Sequence, residues 1–231
     1  GPLEKIMKSS IPMPAVLRDD LNIIDRNSQR LLFLVNQLLD FRKVEQEGIT
    51  MRYASQNIRQ LLQAVCERFK PFITQHGAHL EVEYPDADFT AMVDSEAITK
   101  MISNLLTNAS KYTKDKVVLS CIVQPEQHTF VVKVTDNGIG ISKEDRKRIF
   151  KPFFQAMDNK PGTGIGLSIV KSIVESQNGC IEVESEINKG SSFIVTLPIE
   201  QVGAEVQEGE AGVLNPVIPE DILSETLPVM S

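Results

Sequence analysis

Asn104, Asn108, Lys111 and Tyr112 fall at i, i+4, i+7 and i+8 in the stretch NLLTNASKYT. On a helix that spacing puts two carboxamides, an ammonium and a phenol on one face. Ile102, Leu105, Leu106 and Ala109 recur at helical spacing as well, so a core helix with a polar stripe is expected. Asn competes with the helical backbone for hydrogen bonds, and a plain surface helix would carry Glu, Lys or Arg instead. Two glycine-rich stretches follow. In TDNGIGI (135–141) Gly138 and Gly140 let the backbone turn tightly and approach a ligand, and Asp136 at a strand end can accept a hydrogen bond from a polar ligand edge. Alone, DNG reads at least as well as an ordinary turn. In PGTGIGLSIVK (161–171) the run Gly162, Thr163, Gly164, Ile165, Gly166 and Leu167 opens a helix, where free amides suit an anion. It lacks the GK[ST] ending of a P-loop and the context of a dinucleotide fingerprint. His76 and His79 stand at i, i+3 without Cys or carboxylate companions, so they read as loop or strand-edge residues rather than a metal pair.

In order and spacing, NLLTNASKYT, DNGIG, FKPFFQ (150–155) and GTGIGLSIV resemble the N, G1, F and G2 boxes of the ATP-binding domain of bacterial sensor histidine kinases. KGSSFIVTLP is similar to that family's closing strands, so the resemblance covers about residues 49–200. LNIIDRNSQRLLFLVNQLLDFRKVE resembles the second helix of the family's dimerisation and phosphoacceptor domain. The resemblance implies a Bergerat-type (GHKL) α/β sandwich in which ATP lies between the N-box helix and a mobile glycine loop. Asn108 would then bind Mg²⁺ through its amide oxygen, a hard neutral ligand compatible with a cation that keeps waters and phosphates. Asn104 would support the same ion or its waters. Lys111 would meet phosphate charge, and Tyr112 would lie beside the phosphates and sugar. Asp136 would accept from the adenine amino group, with Gly138, Ile139 and Gly140 in the adjoining loop. Residues 162–167 would form the lid and helix start, with Lys160 a helper and Phe150, Phe153 and Phe154 anchoring the lid.

The same fold serves ATP-hydrolysing clamps, which carry a Glu one turn before the magnesium-binding Asn. Asn104 stands there instead, and a carboxamide cannot take a proton from water at neutral pH. That favours a kinase over a clamp ATPase. The family's phosphoaccepting His precedes an acidic residue and a Pro, a context that none of His76, His79 and His128 has. The resemblance therefore implies an acceptor upstream of this sequence, and a chain that binds ATP without phosphorylating itself. A non-catalytic ATP-binding module is the alternative for this polypeptide alone.

The elements that must position these residues fall into three regions. In 1–46, Leu17, Leu21, Ile24, Ser28, Leu31, Val35 and Leu38 keep an a/d rhythm over a helix of about 15–45, which predicts a helical bundle with a partner, taken as a homodimer. LEKIMKS would be the stub of a preceding helix. Region 49–200 mixes strands (ITMRYAS, HLEVEY, FTAMVD, KVVLSCIV, TFVVKVTD, CIEVESE, SFIVTLP) with helices at 57–75, 95–112, 142–150 and 166–177, predicting a mixed sheet with helices on one face. Residues 201–231 read as an acidic, Pro-dotted linker or tail, which the resemblance would join to a response-regulator receiver in hybrid sensors.

The 231 residues carry a formal charge of −7, of which the tail holds six acids and no Lys or Arg, leaving the remainder nearly neutral. Nothing matches the basic footprint of a nucleic-acid binder. Three widely spaced cysteines and no apolar run long enough to span a bilayer predict a cytosolic chain without direct membrane contact, expected to be the cytosolic portion of a membrane-anchored sensor.

Overall fold

The computed structural model describes residues 50–85, 87–156 and 163–201, together with scattered positions between 14 and 42. The described positions from 17 to 42 are helical, and Leu17, Ile24, Leu31, Val35 and Leu39 among them are exposed. The rest of the 1–46 region, the tail beyond 201, Lys160 and Gly162 lie outside the described residues.

From residue 54 the order is β1 (Ala54–Asn57), α1 (Ile58–Gln75), β2 (His79–Glu83), β3 (Thr90–Val93), α2 (Ser95–Tyr112), β4 (Lys116–Gln124), β5 (Thr129–Asp136), α3 (Lys143–Arg146), α4 (Gly166–Ser176), β6 (Cys180–Glu186) and β7 (Gly190–Pro198). Five strands form one sheet in the order β2-β4-β5-β7-β6, with β2 and β4 parallel and every other pair antiparallel. This is the mixed sheet expected from strands that come both in hairpins and between helices. Its inner face follows the period of two: Val117, Leu119 and Cys121 on β4, Phe130, Val132 and Val134 on β5, and Phe193, Val195 and Leu197 on β7 are buried. The apolar sides of α1, α2 and α4 complete that core.

The remaining two strands, β1 and β3, pair antiparallel in a separate ribbon, Ala54 opposite Val93 and Asn57 opposite Thr90. The strand expected at 49–55 is therefore displaced. Arg52 instead spends its backbone N–H on Asp94 Oδ2 at 2.8 Å, outside any ladder. The other oxygen of Asp94 accepts from Glu96 and Ala97 N–H, both at 3.0 Å, and so caps α2. Asn57 caps α1 through Gln60 N–H at 3.0 Å.

The helix expected over 142–150 is only one turn, α3. Ser142 Oγ accepts from Asp145 N–H at 3.0 Å and donates to its carboxylate at 2.8 Å, which starts the helix. The chain then leaves helical geometry ahead of Pro152, a residue that disfavours the helical region for the one before it. Phe153 follows at a left-handed φ of 63°.

Candidate functional site

The helix α2 is buried almost all round. Ile98, Met101, Ile102, Leu105, Leu106 and Ala109 face the sheet and its neighbouring helices, and Thr99, Ser103, Thr107 and Ser110 are buried too. Past its first turn the half-buried residues are Lys100, Asn104, Asn108, Lys111 and Tyr112. The stripe they form opens on a cleft of about 210 Å³. The polar face that looked anomalous for a core helix is thus a face that no other described element covers.

The floor of the cleft comes from β5. Phe130, Val132 and Val134 point inward, and the same alternation carries Asp136 inward as the fourth member. Its carboxylate is 5% exposed, and Oδ1 accepts the Gly138 N–H at 2.8 Å. Burial raises its pKa above the usual carboxylate value, while the N–H groups of Gly138 and Ser191 pull it back. Each hydrogen bond such a buried carboxylate accepts offsets part of its desolvation, so it favours a donor entering the cleft.

The DNGIG loop is pressed against the end of α2. A Cβ on Gly138 would lie 1.8 Å from the Tyr112 carbonyl oxygen, so only glycine fits. Ile139 N–H donates to that carbonyl at 3.3 Å, and the Ile139 carbonyl accepts from Asn188 N–H at 2.7 Å. Gly140 takes φ +71°, with the Glu186 carbonyl 2.0 Å from any added Cβ. Ser185 Oγ, donating to the Gly190 carbonyl at 2.8 Å, also receives Ile141 N–H at 2.8 Å.

The third wall is the start of α4. Thr163 Oγ1 accepts from Ile165 N–H at 3.2 Å, and the first turn of α4 holds no acidic residue, so its dipole is uncompensated there. Gly164, at φ +70°, passes against Phe153, whose N–H donates to the Gly164 carbonyl at 3.0 Å. Arg148 lies over the Phe154 ring at 4.4 Å. Phe154 and Gln155 reach the cleft wall, whereas Phe153 is 60% exposed.

Of the residues singled out in the sequence, the structure brings Asn104, Asn108, Lys111, Tyr112, Asp136, Ile139, Gly140, Thr163, Gly164, Gly166 and Leu167 to this one cleft. Gly138 lies beneath it, and Ile165 is buried in the core at 2% exposure. Asn104 donates through Nδ2 to the Lys100 carbonyl at 2.9 Å, and its oxygen would stand 2.8 Å from a Cβ on Gly166. The Asn108 side chain makes no hydrogen bond among the described residues, leaving its amide oxygen available in the cleft. Among the described residues no group of three His, Cys, Asp or Glu can hold a metal. His76, for its part, donates from Nδ1 to the Phe72 carbonyl at 2.8 Å. Sequence reading missed Thr107, Ser191 and Phe193 on the walls. Thr107 was visible as i+3 from Asn104. The two β7 residues are placed by register, Ser191 opposite Asp136 and Phe193 opposite Val134.

Residues 93–201 match the family model described as histidine kinase-, DNA gyrase B-, and HSP90-like ATPase. The sensor histidine kinase TmoS of Ectopseudomonas mendocina is 34% identical over 204 residues, and the sensor protein SrrB of Staphylococcus aureus 30% over 204. Residues 93–201 form a histidine kinase-type ATPase domain, similar to the one these sensor kinases carry. Each alignment takes in 86% of this chain but only 21% of TmoS and 34% of SrrB, so the chain spans a minor part of these relatives. Among solved structures, full-length ShkA in complex with AMPPNP is 25% identical with a TM-score of 0.72, covering 88% of this chain and 44% of that one. The catalytic domain of histidine kinase ThkA is 28% identical with a TM-score of 0.57, covering 65% of this chain and 97% of that one. The domain thus shares the GHKL fold, with the cleft on the open side of α2. Among the described residues no helix is long and apolar enough to cross a membrane.

Proposed function

We propose that this chain binds ATP with Mg²⁺ in the cleft. There it supports transfer of the γ-phosphoryl group to a histidine outside this sequence, in a homodimer that serves a response-regulator receiver at the cytoplasmic side of a sensor. The observation that carries the reading is the pairing of a buried carboxylate, Asp136, at the cleft floor with the unpartnered Asn108 carboxamide on its wall. Asp136 accepts the adenine amino group. A guanine carbonyl at the same place would meet like charge, which makes the site selective for adenine. The Asn108 oxygen is a ligand for a cation that keeps waters and phosphate oxygens, and Asn104 one turn earlier holds the wall in place. Lys111 and the uncompensated N-terminus of α4 lie where the phosphates extend. Mg²⁺, when bound, neutralises phosphate oxygens and leaves positioning to the protein.

Asn104, standing where the clamp ATPases carry a Glu, supplies no general base for water beside Asn108. In the transfer the bond from the γ-phosphorus to the bridging oxygen breaks, ADP leaves, and a phosphorus–nitrogen bond forms to an imidazole whose proton passes to solvent. The test is incubation with Mg²⁺ and γ-labelled ATP, of this chain alone and of a version extended upstream through an acceptor helix. Acid-labile label on the extended protein with little free phosphate supports the kinase. Steady phosphate release from the chain alone, without protein label, replaces it with a clamp-type ATPase.

A further inference from the structure

Between Asp136 and Gly138 stands Asn137, a residue that does not line the cleft. Its Oδ1 faces three consecutive backbone N–H groups of the turn after α2: Lys114 at 3.3 Å, Asp115 at 3.3 Å and Lys116 at 3.2 Å. The Thr113 hydroxyl stands 2.9 Å from the same oxygen and 2.8 Å from the Lys116 carbonyl, with one proton to divide between them. Nδ2 donates to Asp115 Oδ1 at 2.7 Å, and the Asn137 N–H reaches the Lys116 carbonyl at 3.3 Å. The orientation of the amide is fixed by its neighbours, because three donors on one side and a carboxylate on the other admit only this assignment.

We infer that Asn137 is a positioning residue that sets the distance between the base-reading end of the cleft and its phosphate end. Asp136 is held by the sheet, paired with Val117 on β4 and Ser191 on β7. Lys111 and Tyr112 sit on the last turn of α2, which is tied to the DNGIG loop by the long Ile139-to-Tyr112 bond and by close packing of Gly138. The Asn137 side chain gathers the turn that follows and fastens it beside Asp136. Asp lacks the donor, Ser or Thr lack the reach, and Gln carries the same amide one methylene further from the backbone. Removing the Asn137 side chain leaves the adenine contact in place and frees the phosphate end, so affinity for the nucleotide falls more than affinity for the nucleoside.

This inference rests on the ATP-binding reading, and the test separates the two. Calorimetric titration of the full chain with adenosine and with ATP and Mg²⁺ gives the ratio of their dissociation constants. Asn137→Ala weakens ATP binding about tenfold, the worth of one or two net hydrogen bonds, and leaves adenosine within about twofold. Asn137→Asp keeps the acceptor but sets two carboxylates together. Combining it with Asp115→Asn restores a donor to the pair and recovers ATP affinity to within about threefold. That rescue decides the matter if Asn137→Ala fails to fold. Equal loss of adenosine and ATP, or ATP affinity unchanged in a folded Asn137→Ala, overturns the inference alone. A wild-type chain that binds no ATP overturns the reading beneath it.

Discussion

Replacing Asp136 by Asn tests the base-reading end of the cleft with almost no change of shape. In the native chain the carboxylate is 5% exposed, with one oxygen engaged by the Gly138 N–H at 2.8 Å. An amide at this position carries one acceptor and one donor group. Turned one way it keeps the Gly138 bond but points its NH₂ at the adenine amino group; turned the other way it meets the Gly138 N–H with a donor. Either orientation removes a hydrogen bond to a charged acceptor, worth about 1.5–3 kcal/mol, and leaves a buried donor unsatisfied at about 1–3 kcal/mol. The sum is about 3 kcal/mol or more, so ATP affinity falls at least about a hundredfold. A 6-oxo purine gains what adenine loses, and inosine triphosphate is expected to bind Asp136→Asn better than ATP does.

Stability moves independently of affinity. Burial raises the Asp136 pKa above its unfolded value, so the folded state holds its proton more tightly than the unfolded chain. The ionised carboxylate therefore costs stability, a cost absent below the unfolded pKa and fully present above the folded one. Asp136→Asn should melt at or above the wild-type temperature at pH 7. Calorimetric titration with ATP and inosine triphosphate, beside a thermal melt, reads both effects. A folded variant that binds ATP within about threefold of wild type would refute the reasoning.

The pH dependence of ATP binding should follow the same carboxylate: affinity falls as pH drops through its raised pKa, at a higher pH than for an exposed aspartate, and Asp136→Asn loses this dependence. Gly138→Ala drives a Cβ to 1.8 Å from the Tyr112 backbone carbonyl, which cannot yield cheaply. A cost of about 3 kcal/mol, lowering the melting temperature by roughly 10 °C, is expected in a thermal scan. Gly166→Ala meets only the far end of Asn104 at 2.8 Å, so its melting temperature should stay close to wild type while ATP affinity drops severalfold. Burial pushes the thiols of Cys66 and Cys121 up to about 12, and Cys180 is exposed. Thiol titration at pH 8 should therefore find one fast-reacting group in the native chain and three after denaturation.

The polar stripe of α2 was legible because a period of 3.6 separates Asn104, Asn108 and Lys111 from the apolar residues between them. Asp136 was read as an acceptor at a strand end; its inward aim continues the alternation of Phe130, Val132 and Val134. What could not be read is whatever depends on another segment passing close by. Asn137 looked like a turn residue because its partners, 113–116, lie more than twenty positions away. Ile165 looked like part of the glycine loop, but a side chain that large goes to the core once the loop folds back. Ser191 and Phe193 reach the cleft through strand register. The β1 strand was misplaced because Arg52 satisfies its N–H on a side chain, a choice that β-propensity does not reveal.

The most direct test of the account is calorimetric titration of the full chain with ATP and with GTP, each with and without Mg²⁺, repeated on Asn108→Ala. The account predicts one ATP per chain, weakened when Mg²⁺ is withheld, weak or no binding of GTP, and in Asn108→Ala a loss of the Mg²⁺-dependent part while binding of free adenosine persists. Equal binding of ATP and GTP, or a full Mg²⁺ effect without Asn108, would contradict it.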